Sequence, residues 1–481
     1  MKELRLSFFP SELRSKDNKI ESQDGNVNFG LNRTLLLKQT LVALGPLLLT
    51  ICSGMTFGYS AILLPQLQTL NNGTISIDKE EASWIASMAA LPMALGSAFG
   101  GFFSAKLGRK RTHTLACLPT FLSWILIYLA TDTKMILTGR FISGFVTGML
   151  ASVTGVYIGE TSDPANRGFL LAGISFSVSL GLFLSHLLGT FLSWQNTALI
   201  CSILPFLSQI SMLFTPESPS WLADKGKIKE AERSFYWCRG NNEEAKKEIQ
   251  IMLQRQNKQS QEENVKLDNF LEPEFWKPLG IISVYIVANQ WAGINAITFY
   301  SVNIMRDTIG DEVNEYLATL IIDIMRLFMS TIACVLLKTL KRRSLALISG
   351  FGTIIPLFTL SLYTYLVKTH PGLSSGYIPL LCLICYIIFI SIGFVPLPWA
   401  MMGELFPLRH RSIGSGISSV LAFLAFFSVV KCVPDMFQNY GPHGTFFTFG
   451  IVAFVGTSFV YLFLPETKGR PLHEIEDSFK K

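Results

Sequence analysis

The chain has 481 residues, of which 49% are hydrophobic and only 15% charged, and its mean hydropathy is +0.40. It is too long for one compact soluble domain and too poor in charge for two, which excludes an ordinary soluble protein. We therefore expect a membrane protein surrounded by the lipid bilayer. We interpret the net charge of +6 as a mark of topology and expect no nucleic-acid partner.

Twelve stretches are apolar and long enough to cross the ~30 Å hydrocarbon layer as helices, which takes about 20 residues each. They lie at approximately 40–64, 83–105, 113–130, 135–160, 168–191, 195–215, 278–306, 313–337, 344–367, 377–406, 412–436 and 443–464. The polar residues before the first stretch do not match a cleaved signal peptide. The expected fold class is an all-α membrane protein with twelve transmembrane helices.

A polar stretch in the middle of the chain separates the twelve predicted helices into two sets of six. Its periodicity predicts short amphipathic helices on the membrane surface. The expected division is a tail at 1–39, a six-helix bundle at 40–215, a linker at 216–277, a second six-helix bundle at 278–464 and a tail at 465–481.

Basic residues gather in alternate loops, at 106–111, at 338–343 and at Arg409 and Arg411. The positive-inside rule places these loops, the linker and both termini in the cytoplasm. The first loop then lies outside the cell. Asn72 begins an Asn-Gly-Thr sequon in that loop, so we expect it to carry a glycan.

Short motifs near the ends of the predicted spans occur twice in the chain, about 240 residues apart. Each copy has a Gly-Glu pair with an arginine seven residues after the glutamate, and a Pro-Glu pair further on. A duplicated membrane unit places a substrate site where its halves meet and lets the halves rock, so the repeat indicates transport.

The charged residues of this repeat predict an inner gate. With Arg109, they are expected to form a network that holds the gate shut in one state, unless they only anchor the helices at the membrane surface. The residues are Arg109, Glu160, Arg167 and Glu217 in the first copy and Glu404, Arg411 and Glu466 in the second.

Several motifs together resemble the sugar porter family of the major facilitator superfamily. They are Gly139-Arg140, Tyr157 to Ser162, Pro216 to Pro219, Gln290 with Gly293 to Asn295, Phe299-Tyr300, Pro396 to Trp399 and Pro465 to Pro471. The resemblance covers essentially residues 40–477, and the residues at 401–404 and 444–450 are most similar to its trehalose-transporting members. It implies two six-helix bundles with a cytoplasmic helical linker, and facilitative transport of a small-molecule sugar, trehalose or a hexose, across the plasma membrane.

The resemblance also implies which residues bind the sugar. Gln290 and Asn295 match the family's sugar-binding positions, and Trp399 matches its stacking position. Asn289 supplies a third amide, and Ser175 stands where many members have glutamine. Amides suit a ring of hydroxyls that both donate and accept, and an aromatic face covers the C–H surface of the sugar.

Two further expectations concern the helix that carries these amides. Gln290 and Asn295 are five residues apart, so they face one cavity only if the helix is locally unwound near Gly293. Alternatively, such a polar residue bonds to a neighbouring helix. Phe299 and Tyr300 match the family's outer-gate aromatics.

The chain departs from the family pattern in the eighth span. Arg326 stands where an asparagine is usual, and Asp323 lies one turn earlier. Because an unpaired charge in hydrocarbon is costly, we favour a structural salt bridge between them. The alternative is that Arg326 binds an anionic ligand.

The first span indicates whether transport is coupled to proton movement. Proton-coupled members carry an aspartate after a Gly-Tyr pair, whereas Ser60 follows Gly58 and Tyr59 here, which argues against a proton relay at that position. His186 and Asp323 remain titratable within spans.

The leading hypothesis is therefore a facilitative sugar uniporter, with a non-transporting sugar sensor and an organic-anion carrier as alternatives. No nucleotide motif appears, and the scattered histidines form neither a metal-ligand set nor part of a catalytic triad. We expect no nucleotide, cofactor, metal or enzymatic activity.

Overall fold

The computed structural model describes residues 11–69, 75, 77–262, 273–309, 313–406, 411–468 and 479. The described residues are almost entirely helical, with no strand among them. The expected glycan site, Asn72, lies outside the described residues. The side chain of Arg411 lies outside them as well.

Among the described residues, the first half contains eight helices and the linker contains three. In the first half they are α1 (Ser11–Thr69), α2 (Lys79–Ser87), α3 (Leu91–Leu107), α4 (Arg109–Tyr128), α5 (Thr133–Thr161), α6 (Pro164–Phe191), α7 (Trp194–Cys201) and α8 (Ile203–Leu213). The linker helices are α9 (Pro219–Asp224), α10 (Ile228–Arg239) and α11 (Glu243–Glu262).

In the described part of the second half, helices α12 to α19 are interrupted by two π-helical turns. Its helices are α12 (Pro273–Asn289), α13 (Asn295–Phe299), α14 (Ser301–Ile309), α15 (Glu315–Thr339), α16 (Arg342–Thr369), α17 (Tyr377–Phe389), α18 (Pro396–Leu405) and α19 (Arg411–Phe463). The π turns span Gln290–Ile294 and Ile390–Phe394, and a 3₁₀ turn spans Pro371–Leu373.

The helices account for twelve membrane passes. Among the described residues, ten helical stretches are long and apolar enough to cross a membrane. One of them, α19, has 53 residues and bends at Gly441, where a φ of +69° ahead of Pro442 starts a second pass. The 20-residue α4 supplies the twelfth pass, with its basic residues confined to the first turn. This agrees with the number predicted from hydropathy.

The two membrane ends of the helices differ chemically. At one end, side chains cap the helix starts: Asp78 Oδ1 accepts the backbone N–H of Glu81 at 2.7 Å, and Asp132 Oδ1 accepts that of Met135 at 2.8 Å. Asn314 caps α15 in the same way. We call this the capped end. The opposite end, which carries Arg109 and Arg342, is the basic end.

Glycines let helices within the first half approach closely. A Cβ placed on Gly181 of α6 would lie 1.9 Å from a carbonyl oxygen of α1, and one on Gly96 of α3 would lie 1.9 Å from a carbonyl oxygen of α5. Small residues at such contacts allow backbone-to-backbone packing, which drives helix association in lipid. The two halves meet where α6 packs along α15 and where α19 packs on α2 and α3.

Candidate functional site

The helix that carries the predicted sugar-binding amides is broken by a π turn at Gln290–Ile294. Gly293 has a φ of +96°, a conformation that glycine adopts without steric cost, and a Cβ there would lie 2.5 Å from the ring of Phe449. A π turn brings residues five apart onto one face. The Asn295 amide accordingly donates a hydrogen bond to Gln290 Oε1. The helix is thus unwound near Gly293, which is the condition under which the two amides could face one cavity.

A second π turn, Ile390–Phe394, faces the first one. The Tyr386 hydroxyl donates to the Ala292 carbonyl at 2.9 Å, and the Asn289 amide donates to the Phe394 carbonyl at 2.5 Å. These bonds satisfy backbone groups that the turns release from regular helix pairing. Asn289 is only 3% exposed. Its donor therefore serves a neighbouring helix, which is the alternative that the sequence left open.

The remaining predicted sugar contacts lie on other elements. Trp399 follows the second π turn on α18, is 40% exposed, and has its ring centre 6.0 Å from that of Phe423. Ser175 is exposed on α6, in the first half of the chain. Gln290 is 6% exposed. The structure thus brings Gln290 and Asn295 into direct contact, with Trp399 just beyond the facing π turn.

The predicted pairing of Asp323 with Arg326 is wrong in this structure. Asp323 Oδ2 instead lies 2.5 Å from Nδ1 of His186 on α6. Arg326 Nη1 donates to the Thr298 hydroxyl at 2.7 Å. In this structure the two side chains turn to different neighbouring helices, α6 and α13, and each has a partner there. Sequence had marked His186 only as a titratable group within a span.

Arg326 approaches the amide pair through Thr298, which lies one turn after Asn295. Among the described residues, Arg326 Nε is buried and has no hydrogen-bond partner. Part of the guanidinium is thus unsatisfied next to the predicted binding residues. Thr298 was not identified from the sequence, because a threonine in an apolar span gives no distinct signal.

Aromatic rings join the two halves toward the capped end. The Phe299 ring centre lies 6.2 Å from that of Phe57 on α1 and 5.3 Å from that of Phe426 on α19. Phe57 and Phe426 are 5.6 Å apart. The Tyr300 hydroxyl donates to the Val430 carbonyl at 3.0 Å. Phe299 and Tyr300, the residues predicted for an outer gate, thus lie among contacts that also involve Phe57 and Phe426, two residues that the sequence analysis did not identify.

Polar contacts close the same end beside the rings. The Lys431 ammonium of α19 lies 4.2 Å from the ring centre of Trp84 on α2, within cation–π range. The hydroxyl of Ser83 donates to the Lys431 carbonyl at 3.2 Å. The capped end is thus shut in this structure.

Arg140 is a fully buried cation behind the aromatic closure. Its Nη1 donates to the Thr56 carbonyl at 2.7 Å, its Nε donates to the Ile85 carbonyl at 3.3 Å, and it contacts the Ser60 hydroxyl. Its guanidinium carbon lies 6.0 Å from the Phe299 ring centre. The oxygens that hold this charge are neutral, in keeping with serine at position 60.

A charge network lies at the basic end of the first half. Arg109 forms a two-pronged ion pair with Glu160, at 2.9 Å and 3.0 Å, and the Ser218 hydroxyl also donates to Glu160. The Glu217 carboxylate accepts the backbone N–H of Lys110 at 2.8 Å. Bidentate arginine–carboxylate pairs fix geometry as well as charge. This network ties α4 to the end of α5 and the start of the linker.

The second half repeats this network. Arg342 pairs with Glu404 at 2.9 Å, and the Thr467 hydroxyl donates to Glu404 at 2.5 Å. Glu466 accepts the backbone N–H groups of Arg342 at 2.9 Å and Arg343 at 3.1 Å. Arg342 was not among the predicted gate residues, although the repeated basic cluster at 341–343 was the signal for it.

The environment of Glu466 favours its charged form. Burial raises the pKa of this carboxyl, but the N–H groups of Lys468, Arg342 and Arg343 and the charge of Arg342 lower it more. The net effect is a pKa below the usual value, so the contacts of Glu466 are present at neutral pH and are lost as the pH falls below the usual range of a glutamate.

Both networks join helices of one half, and none of these ion pairs crosses between the halves. Arg167 is exposed on the first turn of α6, and Glu160 pairs with Arg109 instead. No group of three or more His, Cys, Asp or Glu side chains that could hold a metal ion occurs in the described part of the chain.

Comparisons with known proteins agree with this architecture. The model of the sugar (and other) transporter family matches residues 42–479. The facilitated trehalose transporter Tret1 of Apis mellifera ligustica is 33% identical over 92% of this chain and 88% of its own length. Tret1 of Drosophila mojavensis is 32% identical over 92% of this chain, which spans only 52% of that longer protein.

A solved structure shows the same fold. The inward-open xylose transporter XylE from E. coli, of the major facilitator superfamily, has a TM-score of 0.74 and 20% identity, covering 92% of this chain and 99% of its own. At this identity the likeness extends to the fold alone. It confirms the predicted fold of twelve helices.

Proposed function

Because this chain belongs to the sugar (and other) transporter family, we propose that it is a facilitative carrier of trehalose or a hexose that works by alternating access. The observation that carries the proposal is the broken helix with Gln290 and Asn295 in contact on one face. Transporters bind substrates at such interruptions near the middle of the membrane.

The amide pair suits a sugar chemically. Its members together offer donors and acceptors that a hydroxyl can use in either role. Trp399, partly exposed beyond the second π turn, supplies an aromatic face for the C–H surface of the ring. Ser175, from the other half, adds a hydroxyl. Asn289 has the supporting role of holding the two π turns together.

We place the basic end in the cytoplasm and the capped end outside the cell, in the plasma membrane. The excess of lysine and arginine at the basic end supports this orientation under the positive-inside rule. The rings of Phe57, Phe299 and Phe426 then form the outer gate. The Arg109 and Arg342 networks hold the cytoplasmic helix ends of each half together as the halves rock as units 40–215 and 278–464.

Arg140 supports transport without a proton. Its charge is held by carbonyl and hydroxyl oxygens, so no carboxylate on α1 has to gain or lose a proton there during the cycle. A carrier of this kind equilibrates its sugar and does not accumulate it.

Uptake of labelled trehalose and glucose by cells that lack their own sugar carriers tests the proposal. We expect saturable uptake that a proton uncoupler leaves unchanged and that Gln290→Ala abolishes. Asn196→Ala is the matched control, because this amide is exposed on α7 at the capped end. It should transport like the unmodified chain.

A different outcome would redirect the function. If the protein reaches the cell surface and takes up neither sugar, the facilitative sugar carrier is wrong. Uptake of an organic anion that Arg326→Asn abolishes would then support the anion carrier, for which the unsatisfied Nε of Arg326 is the structural basis. Sugar binding without any uptake would support a sensor.

A further inference from the structure

We propose that Asp323 exchanges partners as the carrier changes state: it pairs with His186 across the two halves when the capped end is shut, and with Arg326 on its own helix when that end opens. The proposal rests on alternating access but on no particular sugar. It begins from the buried contact between His186 of α6 and Asp323 of α15.

The His186–Asp323 contact joins the halves directly. His186 Nδ1 lies 2.5 Å from Asp323 Oδ2, and the two side chains are 1% and 3% exposed. His186 Nε2 lies 3.0 Å from the Gly58 carbonyl of α1, which can only accept, so this nitrogen carries hydrogen and donates. Both ring nitrogens are thus engaged, and the imidazole is fixed between α1 and α15.

This contact differs from the ion pairs Arg109–Glu160 and Arg342–Glu404 in which helices it joins. Arg109–Glu160 and Arg342–Glu404 each join helices of one half, so rigid rocking of the halves leaves them intact. His186 and Asp323 belong to opposite halves and lie toward the capped end of α6 and α15. Separation of the halves at that end has to break this pair.

A carboxylate released within the membrane needs a new partner, because an unpaired buried charge costs several kcal/mol. Arg326 is available three residues along α15, a spacing at which side chains of one helix meet. Its Nε is buried without a hydrogen-bond partner among the described residues. The unsatisfied Nε is the second observation that supports the exchange.

The exchange gives the two neighbours of Asp323 opposite effects. His186 contacts Asp323 only in the state that is shut at the capped end, and Arg326 pairs directly with Asp323 only in the open state. Removing His186 therefore favours opening, whereas removing Arg326 favours closure. A purely structural role for either residue predicts loss of folded protein and no such opposition.

Spin labels at Lys79 and Gln438 report on the capped end. These exposed residues come from opposite halves, with Nζ and Oε1 3.5 Å apart. The labels are attached to cysteines in a Cys432→Ser background, which removes the exposed cysteine among the eight. Pulsed electron paramagnetic resonance on the full chain in lipid nanodiscs, without sugar, measures the fraction that is open.

His186→Gln should raise the ratio of open to shut molecules roughly fivefold or more, the usual size of one conformational coupling. Adding Arg326→Asn to this variant should return the ratio toward that of the original chain. In an Asp323→Asn background, His186→Gln should have little further effect. Ser185→Ala, at the neighbouring position on α6, is the matched control and should change nothing.

The proposal is wrong if His186→Gln leaves the distances unchanged, or if Arg326→Asn increases opening in the His186→Gln variant. The double variant His186→Asp with Asp323→His swaps the two side chains and tests whether the effects come from a general loss of packing. It should restore the shut state that either single substitution weakens. Because no sugar is present, absence of sugar uptake would count against the proposed function and leave this result standing.

Discussion

Gly293 decides the local geometry of the candidate sugar site. Its φ of +96° lies in the region that side chains with a Cβ rarely adopt, and the Phe449 ring occupies the space in which a Cβ would lie. The π turn places the Gln290 and Asn295 amides on one face only if this residue keeps that conformation. The contact between the two amides therefore depends on this one glycine.

Gly293→Ala should abolish sugar uptake and destabilise the protein by about 1 to 3 kcal/mol, the usual cost of forcing a non-glycine residue into a sparsely populated conformation. Uptake assays and thermal unfolding in detergent measure the two effects. Gly280→Ala on the same helix is the control, because a Cβ there meets open space. Equal effects of the two substitutions would show that the conformation of Gly293 does not matter.

Sequence predicted the site residues unevenly, and for physical reasons. The five-residue spacing of Gln290 and Asn295 and the nearby glycine indicated that the two amides share one face if the helix is unwound there. The partner of Asp323 was not predictable, because His186 lies 137 residues away and only the tertiary fold brings it near. Local spacing favoured Arg326 instead.

At the scale of helices, the charge networks at the basic end have the same arrangement in the two halves. In each half, an arginine at the start of one helix forms an ion pair with a glutamate at the end of another. The carboxylate of a Pro-Glu pair accepts backbone N–H groups from the helix turn that carries this arginine. In both halves a hydroxyl also donates a hydrogen bond to the glutamate of this ion pair, from Ser218 in the first half and from Thr467 in the second. The two charge networks should therefore contribute equally to the rate of transport.

Arg342→Ala should lower the maximal uptake rate about as much as Arg109→Ala does. Partly exposed ion pairs contribute about 1 kcal/mol, which is roughly fivefold in an equilibrium constant. Initial rates at saturating sugar, corrected for protein at the cell surface, provide the comparison. Arg111→Ala is the control, because Arg111 serves Glu217 through its backbone N–H, which alanine retains. A loss confined to Arg109→Ala would contradict an equal role.

Hydropathy predicted the twelve passes but not all helix limits. Helix α1 begins at Ser11, within the predicted tail, because a polar segment outside the membrane can still be helical. The last two passes are two helices that meet at a kink at Gly441, which lies between the predicted spans 412–436 and 443–464. Hydropathy detects solvent preference, and these limits depend on backbone conformation.

For the whole molecule, the contacts between halves at the capped end favour the state that is shut there. Phe299 contributes two ring contacts to the other aromatic residues of the closure, one of which, to Phe57, crosses between the halves. Aromatic pairs add about 0.5 to 1.5 kcal/mol beyond the area they bury. These contacts exist only in one state, so they set the balance between states and leave the sugar contacts unchanged.

Phe299→Ala should lower both the KM and the maximal rate of uptake from the capped side, each roughly threefold or more. The KM falls because more molecules present the binding-competent open state to that side, and the rate falls because the shut state is reached less often. Concentration series of labelled sugar measure both. Phe447→Ala removes a ring contact of 5.6 Å with Phe358 inside the second half and should leave both unchanged. A raised KM with an unchanged rate would mean that Phe299 contacts the sugar and does not close the gate.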